Sequence, residues 1–286
     1  MSRIDALRQR FSQFNIAEKL ILINLICFVV PFFFRSLFFL LNLPQQSFFS
    51  LFELSSALAT FVYQPWTIIT YGFLHDGIGH IFWNMLLLYY ASQFFLNLFS
   101  SQRFINVYFM GILVGGLVFI LSYAIFPVFR DQSPALVGAS AGVMAVLIFS
   151  CTYMPTQEVR LLFFNVKLMY VGIALVVVDV LQIPTGNAGG HLAHIGGAVL
   201  GYFYAKQLQN GRDIGTTFER VWKGCAALFI TKSKLKTVHK TPRRKPSNKT
   251  ATDQEKIDRI LDKISASGYD SLTKEEKALL FNAGKK

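Results

Sequence analysis

The chain has 286 residues, of which 53% are hydrophobic and 15% aromatic, and it carries a net charge of +12. Its mean hydropathy of +0.42 exceeds what a soluble domain of this size needs for a core. The excess falls in blocks near the length of about 20 apolar residues that spans a bilayer, which argues against a soluble enzyme or a nucleic-acid-binding protein.

In chain order, the predicted spans are 20–42, 79–99, 104–126, 138–154, 166–183 and 189–206, the last two short and interrupted by glycine. Hydrocarbon offers no water to backbone groups, so these blocks are expected to be helices. The expected fold is all-α, a polytopic six-helix membrane bundle over 20–206. A cytoplasmic N-terminus, 1–19, precedes it. A basic linker, 207–252, and a small helical element, 253–286, follow. The first 19 residues are charged and amphipathic, and the first apolar block is too long for a signal-peptide core, so no cleaved leader is expected.

The charge is unevenly placed. Residues 206–286 hold 19 Lys+Arg against 9 Asp+Glu, so +10 of the +12 lies there. Arg3, Arg8, Arg10 and Lys19 precede the first span, and no Lys or Arg occurs between Arg35 and Arg103. Basic flanks stay on the cytoplasmic side, so both termini are expected there. Cys27, Cys151 and Cys225 are odd in number and lack metal spacing, and no disulfide is implied.

Residues 43–78 form a long outer segment whose Phe48, Phe49, Leu51, Phe52 and Trp66 suggest an element in the membrane interface. Past 206, Phe218, Val221, Trp222, Cys225 and Phe229 recur at helical spacing, which fits an interfacial helix or a frayed polar tail equally. Residues 231–252 read as a disordered linker. Ile257, Ile260, Leu261 and Ile264 then mark a helix ending near Gly268, and Thr273 with Glu276 is a capping box opening a second. This tail points to a cytoplasmic partner or to anionic lipid.

Polar residues inside spans are costly, so each is a functional candidate. Here they gather. The second span opens with His75, His80 and Asn84, the fourth with Gly138, Ala139, Ser140, Ala141 and Gly142, and the sixth with His191, His194, Gly197 and Gly201. With an inside N-terminus, all three spans enter from the outer face. At 1.5 Å per residue their polar sets share one depth, roughly 5–10 Å from that boundary. Small residues let membrane helices touch backbone to backbone, which would bring Ser140 within reach of His194 as its base. A Gly/Ala/Ser run alone is more often plain packing.

The combined set resembles the rhomboid family of intramembrane serine proteases. Residues 65–84 (PWTIITYGFLHDGIGHIFWN) resemble its second-span pattern, 138–142 its nucleophile motif, and 193–201 (AHIGGAVLG) its sixth-span motif. The likeness covers about 15–206 and leaves out the tail. It implies an endopeptidase that cleaves transmembrane proteins near the outer face, with Ser140 as nucleophile and His194 as base. His80 and Asn84 would be oxyanion donors, helped by the backbone after Gly138. Ala141, Met144 and Thr67 depart from commoner glycine, aromatic and arginine at those places, and Met144 is expected to support His194 through its thioether.

Asp179, near the outer end of the fifth span, is the one acid close by and reads more as a solvated helix end than as a catalytic contributor, so a dyad without an orienting acid is expected. His75 and His191 are assigned to the lining of a water-filled cavity. Four histidines at one level could hold zinc, but a serine among glycines has no use there, so no metal or cofactor is expected. The expected partners are a transmembrane protein substrate and the lipid bilayer, with no nucleic acid. The alternatives are a rhomboid-like protein that binds without cleaving, and a transporter. Members of the former typically lack the serine or the histidine, and this chain has both. No inverted repeat supports the latter.

Overall fold

The structure is a computed structural model that describes residues 3–43, 49–161, 163–229 and 248–283. It divides into two compact units, 1–230 and 231–286. The first contains α1 (Arg3–Gln13), α2 (Ile16–Leu40), α3 (Leu58–Tyr63), α4 (Thr67–Thr70), α5 (Ile78–Leu98), α6 (Ser101–Ile125), α7 (Ser140–Tyr153), α8 (Leu168–Gln182), α9 (Ala188–Gln209) and α10 (Gly215–Phe229). Two antiparallel ladders are short: β1 (Leu54–Ser55) with β2 (Ala135–Leu136), and β3 (Glu158–Leu161) with β4 (Phe164–Lys167). The expected all-α membrane bundle is the architecture found, with α2, α5, α6, α7, α8 and α9 at the six anticipated places.

Among the described residues, three helical stretches are long and apolar enough to cross a bilayer on length and composition alone: Ile16–Leu40, Ser101–Ile125 and Leu168–Thr185. The other three helices carry the candidate chemistry. α5 and α9 dilute their 21 and 22 residues with His, Asn and Gly, and α7 is apolar but only 14 residues long. A functional residue lowers the signal by which its own span would be recognised.

At the centre stands α7. It packs against α5, α6, α8 and α9, and Ala141–Cys151 are buried without interruption. An apolar helix enclosed all round belongs to a protein core. In contrast, α2 and α8 leave Val29, Phe33, Ile173 and Leu181 exposed, as a lipid-facing ring does.

The segment before α5 is built rather than loose. Trp66 Nε1 donates to the Leu51 carbonyl at 2.7 Å, and Thr70 Oγ1 to the Phe52 carbonyl at 2.8 Å. Tyr71 is buried, with its hydroxyl on the Ile112 carbonyl at 2.7 Å. Leu58, Val62, Tyr63 and Trp66 face outward, the amphipathic character expected at a membrane interface. Phe48 lies outside the described residues.

Below the bundle, the compact unit reaches past the expected boundary at 206. Asp213 accepts from Arg103 Nε and Nη2 at 3.0 and 2.8 Å, from Tyr204 Oη at 2.6 Å and from Gly215 N at 3.0 Å. Residues 215–229 form a helix packed on α6, with Trp222 stacked near Phe109, so this part of 207–252 is not linker. Cys225 and Phe229 have side chains outside the described set, as do 230–247. In the second unit, α11 (Asn248–Ser267) and α12 (Lys274–Ala283) meet around buried Ile260 and Leu272. The capping box forms, Thr273 N donating to Glu276 at 2.8 Å and Glu276 N to Thr273 at 3.3 Å.

Candidate active site

Ser140 is the first residue of α7. The chain reaches it along 134–139, stitched in place by Ser56 N on the Pro134 carbonyl (3.1 Å), the Leu54–Leu136 pair and Gly138 N on the Tyr71 carbonyl (2.9 Å). Gly138 stands at φ +129, a conformation that side chains disfavour. A Cβ there would lie 2.8 Å from His80 Nε2 and 3.4 Å from Ser140 Oγ. One glycine thus supplies both the turn and the space through which the second and fourth spans present an imidazole and a hydroxyl to one point.

Fourteen residues make about 21 Å of helix against a hydrocarbon core of about 30 Å. Ser140 is therefore recessed below one boundary. Irregular backbone at such depth survives only inside protein or beside a water-filled cavity, and Gly138 and Ala139 are buried.

The sixth span is drawn in by its glycines. A Cβ on Gly197 would collide with the Ala141 carbonyl oxygen, and one on Gly201 with that of Ala145. His194 lies one turn before Gly197, and Ala141 follows Ser140, so backbone contact sets the two turns side by side. Among the described residues Ser140 Oγ and His194 share no hydrogen bond. Such contacts are often long without substrate and tighten on binding.

The remaining candidates take distinct places. Asn84 is buried, and its Nδ2 donates to the His80 carbonyl at 3.0 Å. His75 is buried with its ring edge-on to His80, centroids 5.1 Å apart. Burial first, then His80, push His75 down to about 4 despite the opposing Phe73 backbone, so it is neutral at pH 7. It lines a small cavity with Arg35, Glu53 and Asp76. Met144 is buried with Ile148 and Ala198 against Leu175 and Val176, one turn beneath Asp179 and His194.

Asp179 is where the sequence reading needs correction. It is 7% exposed, not solvated. Its Oδ1 lies 2.8 Å from His194 Nδ1 and 2.8 Å from His191 Nδ1. A buried carboxylate needs such partners, and the turn over 183–187 supplies them by folding α9 back along α8. The signal was present: an acid near the outer end of a span, at the depth of the histidines. These three residues offer ligand atoms within 4.8 Å of one another and are the described group that could hold a metal ion.

Residues 62–210 match the model of the rhomboid domain, more than half of the chain. The chain belongs to the rhomboid family. Residues 245–285 of this rhomboid match a second family, described as of unknown function. RHOMBOID-like protein 12, mitochondrial, of Arabidopsis thaliana is 32% identical over 159 residues, 51% of this chain and 47% of that protein. Presenilin-associated rhomboid-like protein A, mitochondrial, of Danio rerio is 27% identical over 155 residues, covering 53% and 37%. Rhomboid-related protein 1 of Caenorhabditis elegans is 28% identical over 148 residues, covering 49% and 39%. The matched part spans less than half the length of each relative. As a rhomboid the protein is an integral membrane protein.

Proposed function

We propose that this rhomboid is an intramembrane serine endopeptidase that cleaves transmembrane segments near the outer face. The observation that carries the reading is the convergence at Gly138 of His80 Nε2 and Ser140 Oγ, with Ser140 heading a helix packed backbone to backbone against the one bearing His194. His194 Nε2 takes the Ser140 proton as Oγ attacks the peptide carbonyl carbon. The oxyanion is met by the Ser140 N–H at the positive end of α7, by His80 and by the second amide proton of Asn84. His194 then gives its proton to the departing amine as the C–N bond breaks. Water hydrolyses the acyl-serine by the same relay and returns the proton to Ser140.

Substrates are segments that unwind easily, since peptide bonds within a stable helix are shielded. The charge asymmetry supports placing both termini in the cytoplasm, in the bacterial inner membrane of this reading; the word mitochondrial belongs to the relatives' names. The tail's +10 suits a polyanionic surface such as anionic headgroups. The test of the activity is direct. Ser140→Ala and His194→Ala should each abolish cleavage of a transmembrane substrate, and a fluorophosphonate probe should label Ser140 in the parent only. Near-normal turnover by either variant would sink the assignment.

A further inference from the structure

We infer that Asp179 is a positioning residue for His194, so that the serine and histidine work with a carboxylate behind them, and that His191 shares the same carboxylate oxygen. This deepens the proposed protease reading and rests on it. The argument is geometric. Oδ1 sits 2.8 Å from each Nδ1, and an ionised carboxylate only accepts hydrogen bonds. Both imidazoles must therefore carry a proton on Nδ1. For His194 this fixes the tautomer, leaving the Nε2 lone pair as the one basic site, which is the atom needed to deprotonate Ser140. The proton taken at Nε2 then makes an imidazolium beside a carboxylate, as in soluble serine hydrolases. Asp179 touches no reacting atom, so its effect passes entirely through His194.

His191 explains how an acid is tolerated at this depth. A carboxylate with one neutral donor would be poorly compensated. Two donors from one turn of α9, their rings edge-on at 5.8 Å, occupy both lone pairs of one oxygen and fix the approach of α9 to α8.

The experiment uses the full chain in detergent, with histidine ring nitrogens labelled with nitrogen-15. In the unmodified protein, His194, assigned by loss of its signal in His194→Ala, should show the Nδ1–H form at neutral pH. The Nε2–H form there would overturn the inference without recourse to any variant. Asp179→Asn should lower kcat by about 100-fold or more, toward the roughly 10⁴-fold known for such a carboxylate in a soluble triad. KM should change less than about threefold, and His194 should shift to a mixture of tautomers. Wild-type turnover, or slow turnover with the tautomer unchanged, would reduce Asp179 to packing and overturn the proposal. Activity lost on EDTA treatment and restored by zinc would overturn it in favour of a metal site. Ser140→Ala is run alongside: if it still cleaves, the protease reading has failed, whereas a dead Ser140→Ala with a normal Asp179→Asn rejects only the role of Asp179.

Discussion

The two ends of the bundle each hold an aspartate among several donors, Asp179 buried and Asp213 half-buried, and the donors differ in kind. At one end Asp213 is gripped by the Arg103 guanidinium, the Tyr204 hydroxyl and the Gly215 N–H. At the other, Asp179 is held by two imidazoles. Guanidinium and phenol keep their protons at every physiological pH, so the Asp213 cluster is a fixed clamp joining α6, α9 and the start of α10. An imidazole that donates from one ring nitrogen keeps a second that can take and return a proton, so the Asp179 cluster suits proton transfer. The same carboxylate geometry becomes structure or chemistry according to whether its partners can let go of a proton.

If that division is sound, variants at the two ends should separate rate from stability. The largest effect after the serine, histidine and Asp179 variants belongs to Asn84→Ala. It should slow turnover by about 10–1000-fold, the scale for losing one oxyanion donor, with a smaller loss of probe labelling and an unchanged unfolding midpoint. An unchanged rate would make Asn84 a packing residue between α5 and α7.

Asp213→Asn should do the opposite, costing about 1–3 kcal/mol of stability from a partly buried charged network while turnover per folded molecule stays within about threefold. Burial alone would raise the Asp213 pKa, but Tyr204 and Arg103 outweigh it and hold it low. Its contribution is therefore present above the usual carboxylate range and is lost as pH falls through the depressed value. Thermal unfolding in detergent at pH 7 and pH 3 reads this, and an Asp213→Asn protein matching wild type at pH 7 would dissolve the clamp.

His75 offers a smaller, pH-selective effect at the outer end. Its pKa is lowered on folding to about 4, so the unfolded chain binds the proton first. Stability linked to His75 is complete above about 6.5 and declines as pH falls from there toward 4. His75→Phe should flatten the fall in unfolding midpoint between pH 7 and pH 5, and an equal fall in both proteins would show that His75 is not the group responsible.

Least affected should be the protein cut after Ile230, which keeps the whole first unit and should cleave normally in detergent, differing only in anionic liposomes. The cut after residue 210 removes Asp213 and should reproduce the instability of Asp213→Asn. Indistinguishable unfolding of the two truncations would contradict the clamp.

What the sequence made legible follows from the cost of polar groups in hydrocarbon. Ser140, His80, Asn84 and His194 stood out because an apolar span has no reason to contain them, and the small residues beside them announced close approach. Spans were found by apolar length, so their ends came within a few residues. Asp179 was misread because its meaning depends on the turn over 183–187, which no periodicity reveals. Asp213 was passed over for a related reason. Beyond the last span an acid among basic residues looks solvated, and its partners Arg103 and Tyr204 are distant in sequence. Residues 215–229 left two readings open, decided by packing on α6.

The enclosure of α7 has a consequence for how bilayer thickness acts on the protein. A helix shorter than the hydrocarbon core would ordinarily thin the bilayer or tilt, but α7 meets protein along Ala141–Cys151, so its shortness is hidden from lipid. Mismatch is felt instead by the lipid-facing ring, and α8 belongs to that ring while carrying Asp179. A thicker or thinner membrane is therefore expected to act first on the tilt of α8. Lipid thus meets the site first through the helix that carries Asp179, while Ser140 heads a helix enclosed by protein.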